Sequence, residues 1–201
     1  MDPFTEDLKI RISLLSKNAR VLFAALTCKM LFPNYVAFEK RTGWGKSEIL
    51  MEAIALIYQK GIKDKLYSVE EIEDMINRID SVTPDTEDFA NLSTSFALDA
   101  CTSIYSTLNY LLENNLNHIL DVVTYALDTV DMFLQIKEDF NSLDPSIETK
   151  IANDQFMIVE KTRQLKLIKT LTDADLSIIT NELIASLRSK NPIIDLSLLP
   201  A

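Results

Sequence analysis

From Leu92 to Leu112 only one residue, Asp99, carries a charge. Few folds accept such a stretch. Phe96, Ala97, Ala100, Cys101, Ile104, Leu108, Leu111 and Leu112 recur every three or four residues, which is the periodicity of a helix and not of a strand. Asp99, Thr102, Ser103, Ser106 and Tyr110 gather on the opposite side. That side is polar but lacks the Lys and Glu of a solvated helix face, so it predicts close contact with another helix or with another copy of the chain. The segment is expected to be a central buried helix around which the rest is arranged.

The remainder of the chain agrees with a helical class. Only Gly43, Gly45 and Gly61 occur among 201 residues, and no run alternates β-branched and aromatic residues between turns. The length suffices for one sizeable core. A net charge of −10 disfavours nucleic acid and anionic lipid as partners. The acidic start, Met1 to Asp7, lacks the basic-then-apolar plan of a signal peptide, and the central helix holds too many Ser, Thr and Asn for a membrane span. Cys28 and Cys101 lie in apolar helical surroundings, where a thiol serves as a small hydrophobe. A soluble cytoplasmic protein is expected.

Read in order, the sequence predicts a first helix over about Thr5 to Ser16 with Leu8, Ile12 and Leu15 inward, and a second, more apolar one from Lys17 to Leu31. Phe32-Pro33-Asn34 should break it, with Asn34 capping a short helix from Tyr35 to Arg41 that stops at Gly43. A helix from Ser47 to Lys60 should end at Gly61. Ser68 and Glu71 form a capping box for the next one. The acids Glu70, Glu71, Glu73, Asp74, Asp80, Asp85, Glu87 and Asp88 face the single base Arg78 and read as a solvated rim. Ser81 to Asp85 is a connection within one domain. Asn114-Asn115 turns the central helix into a second long one, to about Phe140, paired with it antiparallel. A further helix is expected from Asp144-Pro145 to about Thr170, and a last one from Thr172 to about Lys190. The apolar tail Ile193 to Leu199 should dock on the body or on a neighbour. The predicted architecture is therefore all-α: a single-domain bundle of about eight helices, residues 1–201, around a central buried antiparallel pair.

Chemistry-bearing patterns are sparse. Gly45-Lys46-Ser47 resembles the end of a phosphate-binding loop, but Lys40 stands where that loop needs glycine and a helix precedes it in place of a strand. The simpler reading is a tight helix-to-helix corner plugged by Trp44, the only tryptophan, with a less specific anion site at the helix start beside Lys46. His118, the only histidine, sits among turn asparagines, and the paired Glu-x-x-His of a di-iron bundle is missing. Asp121, Asp128 and Asp131 with Thr124 and Gln135 form an acidic stripe that reads as solvated. No catalytic group, metal site or cofactor is predicted. Asp99 must reach water or a partner, and an ion pair with Arg41, Arg20 or Lys46 is the expected solution.

Leu31-Phe32-Pro33-Asn34-Tyr35 with Phe38, then Thr42-Gly43-Trp44-Gly45, Pro84-Asp85 with Asp88-Phe89, Asp99-Ala100-Cys101 and Thr129-Val130 stand in an order that resembles the YjaG-like family. That resemblance implies a bacterial, cytoplasmic, all-helical protein of unknown function and brings no catalytic residue with it. The residues themselves point to a non-enzymatic module for protein–protein contact, a homo-oligomer or a binder of another protein, through the uncharged face of the central helix and the apolar tail. The competing expectation is a small-ligand binder or enzyme with a pocket near Tyr35, Arg41, Trp44 and Asp99.

Overall fold

The computed structural model describes residues 3–89, 91–140, 144–173 and 192–199, and all regular structure among them is helical. The helices are α1 (Pro3–Leu14), α2 (Lys17–Thr42), α3 (Ser47–Lys63), α4 (Val69–Asp80), α5 (Leu92–Glu113), α6 (Asn117–Lys137), α7 (Ile147–Asn153) and α8 (Gln155–Asp173), followed by a 3₁₀ turn, Leu196–Leu198. Asn114 takes the left-handed conformation at the end of α5, and α6 begins three residues later. Asp99 and Thr129, equidistant from Asn114, meet across the pair, which is the register of an antiparallel hairpin. α2 packs on α5, α3 and α6, so the centre is shared by three helices, with α3 and α4 on one side and α8, carrying α1 and α7, on another. Ile193 and Ile194 of the tail are buried in the same apolar cluster.

Three boundaries differ from the sequence reading. Pro33 lies inside an unbroken α2, and Asn34 is buried within it and caps nothing. A proline costs a helix interior about 3 kcal/mol. Leu31, Tyr35 and Phe38, which flank it, are all fully buried, and each buried side chain of that size stabilises by about 1.5–3 kcal/mol. Their combined burial outweighs the break. α3 runs through Gly61 to Lys63 and ends at Asp64, which takes the left-handed conformation. Gly61 serves a different purpose: a Cβ there would stand 2.8 Å from Leu22 Cγ, so its absence lets α3 close onto α2. The helix expected from Asp144 is two helices, parted at Asp154, whose backbone is extended and whose side chain accepts from Phe156 N at 2.8 Å. Residues 174–190 of the predicted last helix lie outside the described residues.

The small-polar side of α5 faces other helices of the same chain. Ser103, Ser106 and Tyr110 are buried. Ser103 and Thr107 donate to the carbonyls of Ala100 and Ser103 on their own helix, so hydroxyls can face a packed neighbour without needing a partner from it. α2 is long and apolar enough to cross a membrane by length and composition, and 72% of that window is buried within the bundle.

Candidate functional site

The α2–α3 corner is built around Tyr35 rather than Trp44. Tyr35 is fully buried. Its hydroxyl donates to Val82 O at 2.7 Å and accepts from Lys46 N at 3.2 Å, tying α2 to the α4–α5 loop and to the start of α3. Gly43, in the left-handed region, ends α2, and Thr42 Oγ1 accepts from Trp44 N. The Trp44 ring packs against Phe38 and Phe89, with centroids 6.0 and 5.2 Å away, yet Trp44 stays 37% exposed while Phe38 is fully covered. Phe38 and Tyr35 plug the corner, and Trp44 forms its outer wall. The anion site expected beside Lys46 is already occupied, because Glu39 Oε1 accepts from Ser47 N at 3.2 Å and so fills the α3 start with the chain's own carboxylate.

Asp99 makes no ion pair among the described residues. Its carboxylate accepts from Thr129 Oγ1 at 2.7 Å. Arg20 is spent on the carbonyls of Ile12 and Ser13 at the end of α1, and Arg41 and Lys46 are exposed. The expected cationic partner is thus replaced by a neutral hydroxyl, since α6, which carries Thr129, is the element that packs there. Burial pushes the Asp99 carboxyl from 3.8 up to about 7, against the Thr129 bond and with help from Asp128. Asp99 also points away from the corner: Cys101, two residues or roughly 200° further around the helix, is the α5 residue that lies near Thr83 and the Tyr35 anchor. Tyr35 and Trp44 are brought together, whereas Arg41 and Asp99 do not join them. A shallow groove of about 320 Å³, lined by Thr86, Phe89, Leu92, Ser95 and Met132 among others, runs between the two regions, with Phe89 shared with the Trp44 wall.

The sign of the Asp99 effect follows from linkage. A carboxyl whose folded value is raised binds its proton in the native state where the unfolded chain has lost it, so stability declines as pH rises from about 4 to about 7 and then levels off. Asp99→Asn keeps an acceptor for Thr129 and removes this decline. The variant is expected to gain on the order of 2–4 kcal/mol over the parent at about pH 8, and to match it at about pH 4. Urea midpoints at the two pH values measure the difference; a variant weaker than the parent at the higher pH would mean that the charge is stabilised by something other than Thr129.

Two features escaped the sequence reading. On α8, Glu160 is 2% exposed and is gripped by Arg163 through both oxygens at 2.6 Å and by Gln164 at 2.7 Å, while Arg163 reaches across to Thr27 of α2. Glu160 and Gln164 occupy the same stripe as Met157, Leu167 and Leu171, which is the signal that was available. The second is an open groove of about 490 Å³ between α1 and α8, lined by Arg11, Leu14, Leu165, Lys166, Ile168 and Lys169 among others. Leu14 and Ile10 are 77% and 61% exposed. Their i, i+4 spacing, off the Leu8-Ile12-Leu15 stripe, marked a second apolar face.

A helical hairpin core and a tyrosine-anchored corner define an all-helical protein. The chain belongs to the family described as "Protein of unknown function (DUF416)", which it matches over residues 7–197. Its relatives include the uncharacterised protein YjaG of Salmonella typhimurium, 24% identical over 168 residues, covering 83% of this chain and 82% of the relative. YjaG of Escherichia coli K12 is 26% identical over 125 residues, covering 61% and 62%. The crystal structure of a DUF416 family protein from Shewanella baltica OS155 superposes with a TM-score of 0.78 at 24% identity over 90% of each chain, which establishes the shared fold.

Proposed function

We propose that this chain is a non-enzymatic helical interaction module that associates with further copies of itself in the bacterial cytoplasm. The observation that carries the reading is the α1–α8 groove, open to solvent and lined by the exposed Leu14 and the half-buried Leu165 over a buried Ile168. Ile10, one turn before Leu14 on α1, and Ile158, one turn before the groove residue Thr162 on α8, are also exposed. Contiguous apolar surface of this kind marks contact sites. The support has moved from where the sequence suggested it, because the polar face of α5 and Ile193-Ile194 are covered by the chain itself. Two unpaired, buried thiols, Cys28 and Cys101, fit a reducing compartment. Light scattering at micromolar concentration is expected to give a mass above the 22.8 kDa of one chain, and Leu14→Glu to weaken the association about tenfold or more by placing a charge on the apolar contact. A strictly monomeric parent overturns the reading.

A second reading, a small-ligand site, draws on the groove beside Phe89, which opens next to a half-exposed Trp44 and one helical turn from Asp99, with Ser95 and Met132 on its walls. It becomes the leading reading if the protein is monomeric.

A further inference from the structure

We infer that the α1–α8 groove takes the acidic α4 edge of a second copy, so that the chains join head to tail. This rests on the self-association proposed above and specifies the two faces that meet. The groove carries Arg11, Lys166 and Lys169 against the single acid Asp173, an excess of positive charge in a chain whose net charge is −10. Lys166 and Lys169 are exposed and have no acid partner among the described residues. Arg11 pairs with Asp7, but both are exposed, and such a surface pair is weak enough to be exchanged. An occupant should therefore offer an apolar side chain for the floor and carboxylates for the rim.

This chain presents that combination on another face. Leu66 and Val69 are 81% and 55% exposed. Val69, Glu70, Glu73 and Asp74 form one patch at helical spacing, and its three acids are exposed. Glu71 is excluded from the patch because its side chain accepts from Ser68 N in the capping box. The nearby base, Arg78, is held by Glu52 of α3 and does not neutralise Glu73 or Asp74. α4 packs on α5 and α3, whereas α8 packs on α6, α2, α1 and α7, so the two faces are carried by different elements. A contact between two unlike faces closes in a two-fold dimer only where each groove takes the other chain's edge at the same time; joined head to tail, the chains leave one groove and one acidic edge free, and growth continues into a ring or a filament. Opposite charges on the two rims also make the association weaken as salt is raised.

A mixing experiment with two full-length variants tests the assignment. Lys166→Glu/Lys169→Glu spoils the groove and leaves the edge; Glu73→Gln/Asp74→Asn removes the charge of the edge and leaves the groove, and its neutral residues give the reversed groove nothing to pair with. All four positions are exposed, and circular dichroism checks that each variant is folded. Each variant alone is expected to be monomeric by light scattering where the parent is larger. Their mixture is expected to stop at a one-to-one pair, since only one live groove and one live edge remain. A parent that associates while either variant associates equally well overturns the face assignment and leaves self-association standing. Monomeric variants that fail to pair when mixed overturn it too. A monomeric parent, whose groove would then await a different acidic protein, overturns both readings.

Discussion

Arg163→Ala is expected to cost about 3–5 kcal/mol of stability and, at roughly 2–4 °C per kcal/mol for a chain of this size, to lower the melting temperature by about 10 °C. The reason is what the substitution leaves behind. Glu160 is 2% exposed, and with Arg163 gone its buried carboxylate retains only the bond from Gln164 Nε2. The loss therefore reflects an uncompensated buried charge more than the intrinsic strength of the pair, because desolvating two ions offsets most of their attraction. That distinction has its own check: Glu160→Met/Arg163→Met removes both charges, fills the space with apolar groups and should recover most of the loss. Thermal melts of the single and double variants decide it. If the double variant were as unstable as the single one, the contribution would lie in the link from Arg163 to Thr27, not in charge balance.

Gly45→Ala is expected to destabilise by about 2–6 kcal/mol, from backbone strain of about 1–3 together with about 1–3 for hydrogen bonds lost at a buried hydroxyl. Gly45 has φ +111°, and a Cβ there would stand 2.6 Å from the Tyr35 hydroxyl. That hydroxyl is the atom that joins Val82 O to Lys46 N, so moving it opens the contact between α2, the start of α3 and the α4–α5 loop at once. The matched control is Gly43→Ala, where φ is +70° but nothing lies within 4 Å; it should cost only about 1 kcal/mol. Urea unfolding measures both. Trp44, the only tryptophan, reports the corner locally, and its emission should shift to the red in Gly45→Ala as the ring loses Phe38 and Phe89. Equal losses at the two glycines would show that Tyr35 is not the anchor.

What was legible in the sequence depended on residues close together along the chain. The Ser68–Glu71 box, the stop at Gly43 and the turn at Asn114 each involve atoms within a few residues, so the local pattern is enough to specify them. The α5 stripe was legible for the same reason: apolar spacing states which face is buried without stating against what. The family resemblance carried by the motifs from Leu31 to Val130 likewise held, and the match extends further, from 7 to 197.

Tertiary structure decided the cases in which a local preference competes with distant packing. Pro33 should end a helix, but the buried residues on both sides of it belong to one face of the core, and their burial exceeds the local cost. Gly61 looked like a stop and is a point of close approach to Leu22, a role that exists only once α2 and α3 are side by side. Asp99 had three cations within plausible reach on paper, and received Thr129; the sequence states that a buried carboxyl needs a partner, whereas the register of α5 against α6 selects which one. The α1–α8 groove and the Glu160–Arg163 pair arise in the same way, from side chains whose charge and exposure take on meaning only when two helices far apart in the chain are set against each other.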